Sequence, residues 1–354
     1  MPLQKASFMP RGSLFLLAVA VLALSACDLP FGIGSPTTRA LESGAAASLQ
    51  QLSFEITGVY TQTVVAPPPP IVSNARVSAP AVGSRWSLDL QLSSRPPGGR
   101  RMSVSNGDVK LDAIVLPSVA YFSGQAFLLQ FLGGDPRSRD LARAAGNGWW
   151  KGPAGLVPQL VDLTSGVVFR NTFLGSAITS RTDHLTIDGS DAVELSGPRA
   201  DVYIASAAPN RLLRLVIHKH VTIDGIGESD LHYSNYNKEF DLAPPKDVID
   251  FSNLSTLPPI YSVLSVDTSK CGSPCVVSAV LKNLGGPAGA RAASTITFTL
   301  TDPATKTAAG TCTATVSPDV GFNVTTTVSC GIPLSGPPPN AAVVTAVPNN
   351  PGRG

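Results

Sequence analysis

RWSLDLQLS, residues 85–93, alternates without a break: Trp86, Leu88, Leu90 and Leu92 are apolar, while Ser87, Asp89, Gln91 and Ser93 are polar. Successive side chains of a strand point to opposite faces, so this spacing puts the four apolar groups on one face of a sheet.

The neighbouring segments extend that sheet. Upstream, SFEITGVYTQTVV (53–65) is β-rich and runs into Pro67–Pro70, which cannot join a ladder and predicts an extended loop. Before it, Arg39–Leu52 is rich in Ala and Leu, with Thr37 or Thr38 placed to cap a helix and Glu42 close behind. Downstream, Met102–Gly124 reads as a hairpin pair turning at Asn106-Gly107. From Gln125 to Thr179 the texture changes, and two or three helices are expected, limited by Pro153 and Pro158. Strands return after Arg181 as HLTIDG, AVELSG, ADVYIASA, RLLRLVIHKHVTI and SDLHYSNYNKEF, with turns at Asp188-Gly189, Pro209-Asn210 and Asp224-Gly225. Helix, strands, helices, strands is the order of an α+β unit with one antiparallel sheet and helices on one face, closing at APPKDVIDFSN.

DGSDAVELSG, PNRLLRLVI and SDLHYSNYNKEFDLAPPKDVID, with SVAYFSG and NGWWKGP before them, resemble the LppX/LprG lipoproteins and their LolA/LolB relatives. The resemblance covers Arg39–Asn253, within a domain expected over 39–256, and rests on element order and diffuse patterning. It implies a curved antiparallel sheet, an unclosed barrel, capped by helices, with acyl chains held between sheet and helices. The residues expected to line that cavity are Phe54, Ile56, Trp86, Leu88, Leu90, Ile114, Leu116, Leu128, Phe131, Leu160, Phe169 and Phe173. A Trp86/Leu88/Leu90/Leu92 stripe is usually plain core, and lines a cavity where the fold opens between sheet and helices; Trp149-Trp150 reads as a plug at the barrel mouth ahead of a carbohydrate platform.

After Pro258-Pro259 the chain is poor in charge and rich in Val, Thr, Gly and Pro. Short strands at regular spacing predict an all-β Ig-like sandwich over 257–347, followed by a flexible tail, 348–354. VLKNLGGPAGARAASTITFTL resembles the start of CARDB-type Ig-like domains.

The N-terminus carries an address. Lys5 and Arg11 precede the apolar run Leu14–Ala26, the length of a signal-peptide core and short of the roughly 20 residues that span a bilayer. The run ends in Leu24-Ser25-Ala26-Cys27, which resembles a bacterial lipobox. That resemblance implies a signal peptide over 1–26, acylation of Cys27, a tether over 27–38, and a lipid-anchored protein on the extracytoplasmic side of the cell membrane. An ordinary secretory signal cut near Ala26 is the rival. The other four cysteines, Cys271, Cys275, Cys312 and Cys330, cluster near the end of the chain. In an exported chain such a set reads as disulfides, with a four-thiolate zinc site as the alternative. The expected pairs are Cys271–Cys275, closing a small loop, and Cys312–Cys330, joining adjacent antiparallel strands about a turn near Val320. The alternative is a link from the 271–275 loop to either later cysteine.

The formal net charge is +2 with 14% charged residues and no basic block, which argues against nucleic acid. No G-x-S-x-G, P-loop, H-E-x-x-H or complete G-x-G-x-x-G occurs. His218 and His220, read as one face of a strand, offer a weak metal site against a solvated edge. Asp183-His184 lacks a nucleophile, and Asp183, Asp188 and Asp191 lack EF-hand spacing and read as turn formers. The expectation is a non-catalytic protein without a metal or cofactor. Its partners would be the membrane, through the anchor, and either an acyl lipid in the cavity or an envelope protein on the Ig-like unit.

Overall fold

The structure is a computed structural model. It describes residues 35–62, 83–96, 98–107, 109–132 and 135–353. The expected signal peptide, Cys27, most of the tether and Pro67–Pro70 lie outside the described residues.

The chain is mostly β. Helix α1 (Thr38–Ser48) is capped by Thr37, whose hydroxyl accepts the Ala40 N–H at 3.2 Å. Strands β1 (Ser53–Gln62), β2 (Arg85–Ser93), β3 (Gly99–Asn106), β4 (Val109–Val115) and β5 (Ala120–Ser123) follow, the β3–β4 turn falling at Gly107 with φ 56°. Helices α2 (Gln125–Leu132) and α3 (Pro136–Ala145) lead to β6 (Trp149–Gly152), then α4 (Val161–Thr164) and α5 (Gly166–Phe173). Strands β7 (Ser180–Ile187), β8 (Ser190–Ser196), β9 (Ala200–Ala205), β10 (Leu212–Ile217), β11 (Ile226–Ser234) and β12 (Val248–Ile249) complete a 12-stranded sheet in the order β12-β6-β5-β4-β3-β2-β1-β11-β10-β9-β8-β7.

The ends of this sheet, β12 and β7, are not paired with each other, so it is open. It is antiparallel except for β12, which runs parallel to β6. Among its described residues the region 125–179 holds four α-helices and two short 3₁₀ turns rather than two or three helices, and Trp149-Trp150 sits on a strand between them. The reason lies in Trp150: its ring stacks on Phe122 at 4.7 Å and on Phe131 at 5.1 Å, which ties this short segment to the ladder. The run RLLRLVIHKHVTI leaves the sheet at Ile217, and His220 turns with φ 67°.

The remaining strands, β13 (Tyr261–Asp267), β14 (Cys275–Asn283), β15 (Thr295–Asp302), β16 (Thr307–Thr315), β17 (Thr325–Ile332) and β18 (Val343–Asn349), form two three-stranded sheets, β13-β14-β17 and β16-β15-β18. Two separate sets of buried apolar side chains serve the large sheet and this pair. Leu257 and Ile260 belong to the first core and Tyr261 to the second, so the change of core comes just after Pro258-Pro259. Buried Asn283 organises the crossing: its amide oxygen accepts the Ile260 and Gly285 N–H groups, and its nitrogen donates to the Gly286 and Val320 carbonyls.

Cys271–Cys275 and Cys312–Cys330 are the disulfides, the expected pairing. The geometry expected for the second is corrected. β16 and β17 are not neighbours in one sheet; β16 pairs with β15 and β17 with β14. Cys312 and Cys330, with Cα atoms 6.2 Å apart, therefore staple one sheet to the other. The segment between them crosses the sandwich rather than forming a hairpin: Val316 donates to Ser294 O, Tyr261 Oη donates to Asp319 at 3.0 Å, and Asn323 donates to Asn283 O.

The expected flexible tail is docked instead. Residues up to Asn349 are strand β18, and the next four lace the two cores together. The Asn350 side chain bonds both backbone groups of Tyr261 at 2.9 and 3.1 Å. Gly352 O accepts the Arg291 N–H, the Arg353 N–H donates to Ala144 O at 2.9 Å, and its guanidinium donates to Asp247 O and Thr256 O. The approach is close enough that a Cβ on Gly146 would lie 2.5 Å from Arg353 O, so glycine is required there on steric grounds as well as by its φ of 56°.

Candidate functional site: the apolar face of the large sheet

The alternation read in RWSLDLQLS is carried across the ladder by register. Tyr233, Ile56, Leu90, Met102, Ala113, Phe122 and Trp150 are successive cross-strand partners from β11 to β6. Adjacent strands are about 4.8 Å apart, so these side chains form one continuous apolar row. Leu88 pairs with Val104, and Phe54 with Leu92, in parallel rows on the same face. The helices close over it. Phe169 and Phe173 on α5 have ring centroids 5.0 Å apart, Phe169 meets Tyr233 edge-on, and Tyr233 Oη donates to Leu163 O at 3.2 Å. Burial drives the Tyr233 hydroxyl well above its ordinary pKa.

Phe54, Ile56, Trp86, Leu88, Leu90, Leu128, Leu160, Phe169 and Phe173 share this core, as expected of cavity-lining positions. Three other expected positions do not. Ile114 has the opposite parity from Ala113 and Val115; its partners are Arg101 and Tyr121, on the outer face. Leu116 lies beyond the end of β4 and outside this core. Phe131 stacks on Trp150 but is 42% exposed, at the rim.

Space for a ligand is a separate question from apolarity. A cavity wide enough for a methylene chain would also be wide enough for water, so the side chains lining it would not be fully buried. Ile56, Phe122, Leu128, Trp150 and Phe169 are 0% exposed and Leu90 is 1%. At these positions side chains fill the space between sheet and helices. The indole N–H groups of Trp86 and Trp150 are buried without a partner in this interior.

One inner-face residue carries no signal in the local pattern. Arg100 pairs with Leu92 and Val115, in register with apolar neighbours. Its guanidinium donates to Val157 O at 3.1 Å and Gln159 O at 3.2 Å, pinning the loop ahead of α4, and burial lowers its pKa. Alternation within β3 could not reveal this, because the partners lie in a loop far along the chain.

The outer face is polar, and several of its charges pair locally, although burial first and then the Glu55 carboxylate push the Asp89 carboxyl up. Arg214 grips Asp230 through two bonds of 2.7 and 2.6 Å, which holds that carboxyl below the usual range. His232 Nδ1 lies 2.8 Å from Asp188, and His218 Nε2 2.9 Å from Asp201. His218 and His220 thus share no strand face. Asp183 is taken by Arg181, which lowers its pKa, so it does not orient His184. Tyr203 Oη donates to Glu194 at 3.0 Å; burial first, then that carboxylate, pushes its pKa up to about 12. A cleft of about 450 Å³ opens beside Val59, Arg85, His218 and Glu228, away from the apolar rows. Among the described residues no three His, Cys, Asp or Glu side chains converge to hold a metal, and no helix is long and apolar enough to cross a membrane.

No family model and no curated protein matches this sequence.

Proposed function

We propose that this chain is a lipid-anchored, non-catalytic protein of the bacterial cell envelope, in which the large sheet is a filled scaffold and the Ig-like sandwich makes contact with another envelope component. The closed interior of the large sheet carries this reading: with Leu90, Ile56 and Phe122 between 0 and 1% exposed, ligand binding there would require the helices to part from the sheet. Asp183 and Asp230 on the outer face are each held by an arginine on the same sheet, which supports a structural role for those two carboxyls. Cys27 is the proposed anchor, and two or more chains on that residue give the stable attachment that one alone does not.

A carrier of acyl chains is the second reading. It is favoured by the exposed ring of Phe131 beside Trp150, at the rim where a chain would enter. Native mass spectrometry of the soluble form, purified from its own host, separates the two: the scaffold emerges at its polypeptide mass, and the carrier with lipid. Replacing Cys27 with Ser tests the anchor; the variant is expected in the soluble fraction or unprocessed, and normal membrane partition would refute it.

A further inference from the structure

The outward face of the sheet β16-β15-β18 is an uncharged array, hydroxyl-rich on β16 and β15 and bordered on β18 by the exposed Val343 and Val347. Every outward position of β15 from Thr295 to Thr301 is threonine, and each is at least partly exposed. Register sets Thr315, Thr313 and Thr311 of β16 beside the first three. On the other side β18 sets Asn349, Val347, Thr345 and Val343 beside the same column. No position of this array is ionisable. That is unusual for a solvent-facing sheet, whose outer residues normally carry charge to keep chains apart. The hydroxyls repeat at about 4.8 Å across the strands and about 6.7 Å along them. Thr297 Oγ1 and Thr313 Oγ1 lie 3.4 Å apart.

The edges of this sheet are blunted while its face is open. Pro348 removes a donor from β18, and a register shift at Leu300/Thr301 interrupts the β15–β16 ladder. Edge-to-edge addition of a second chain is therefore disfavoured. The face itself measures roughly 20 by 14 Å, on the order of 300 Å². A stable protein interface needs about 800 Å² from each partner, so this face is too small to hold a second copy or another folded protein alone. An uncharged polymer that repeats hydroxyl and C–H surface matches it better. Threonine offers both a hydroxyl and a methyl, and many anchored copies on one membrane would turn weak single contacts into firm attachment.

We infer that the threonine face of β16-β15-β18 binds neutral polysaccharide. This deepens the proposed contact role of the sandwich, and it stands or falls separately from the lipid content of the large sheet. The test is retention of the full chain, without its signal peptide and anchor, on an array of neutral glycans and on insoluble cellulose and chitin, at low salt and at high salt. Binding is expected at both salt levels, because no charge contributes. Thr297→Lys with Thr299→Lys, both on the solvent face of the central strand, would force two ammonium groups to lose water on contact. Retention should then fall about tenfold or more, a loss of about 1.4 kcal/mol, with the melting temperature unchanged. Thr297→Ser with Thr299→Ser keeps the hydroxyls and should keep most binding. No retention of the wild-type chain on any neutral glycan overturns the inference. So does equal retention of the lysine variant, or a concentration-dependent dimer that the lysines abolish.

Discussion

Replacing Leu90 with Trp distinguishes a filled interior from a ligand cavity. Leu90 is 1% exposed and sits between Ile56 and Met102 in the apolar row, each held by the ladder about 4.8 Å away. In a filled interior the larger indole has nowhere to go. Neighbours must leave their rotamers or the helices must shift, at about 1–3 kcal/mol. Leu90→Ala removes contacts from the same place and leaves a void, costing about 2–5 kcal/mol. With a urea dependence of about 2 kcal/mol per molar, a loss of about 2 kcal/mol moves the midpoint down by about 1 M. Urea unfolding followed by tryptophan fluorescence and circular dichroism measures both variants. A cavity behaves oppositely towards Trp: the indole would occupy empty space, stability would hold or rise, and any bound lipid would be displaced. An unchanged or raised midpoint for Leu90→Trp would therefore refute the filled-scaffold argument, even if no lipid had been found in the wild-type protein.

Three further outcomes follow from the same structure. Removing Cys312 and Cys330 together opens a loop of sequence separation 18 and should lower stability by about 3 kcal/mol in the chain-entropy account, more than removing Cys271 and Cys275, whose separation is 4; a non-reducing peptide map that joins the 271–275 loop to either later cysteine would overturn the assignment. Arg214 lowers the Asp230 pKa in the folded state, so this pair contributes stability above the unfolded carboxylate pKa of about 3.9 and loses it as pH falls through the folded value; Asp230→Asn should flatten the acid limb of a stability–pH profile, and an unaltered limb would contradict the assignment. Arg353→Ala removes the guanidinium bonds to Asp247 O and Thr256 O, and Gly146→Val drives a side chain into the docked segment; both should expose residues 350–353 to protease and separate the unfolding transitions of the two cores, whereas one unchanged cooperative transition would mean that the segment does not couple them.

Much of the large sheet was legible locally. A strict period of two in 85–93, a threonine cap before Ala- and Leu-rich sequence, and Asn106-Gly107 each act within a few residues, so their meaning survives without knowledge of the rest of the chain. The same holds for the parity that groups Leu88, Leu90 and Ile56. It failed for Ile114 and Leu116, because apolarity alone does not reveal which face a residue occupies: Ala113 and Val115, less conspicuous as hydrophobes, take the inner positions. The strand at Trp150 was not legible for a related reason. Its strand is short and is held by aromatic contacts to residues on other elements, none of which its own neighbours encode.

What the sequence determined by itself is therefore the α+β texture, the apolar stripe, and the charge-poor β-rich second part with its late set of four cysteines. Tertiary structure decided the rest. Only the packing of helices on the ladder shows whether an apolar face is core or cavity wall, since the same side chains serve both. Only the path of 316–324 across the sandwich makes Cys312–Cys330 a link between sheets rather than between neighbours in a hairpin. Only the fold brings residues 350–353 against Ala144, Asp247 and Tyr261. Local pattern reports how one segment meets water; long-range contacts depend on which segments meet each other, and the free energy of that choice is spread over the whole chain.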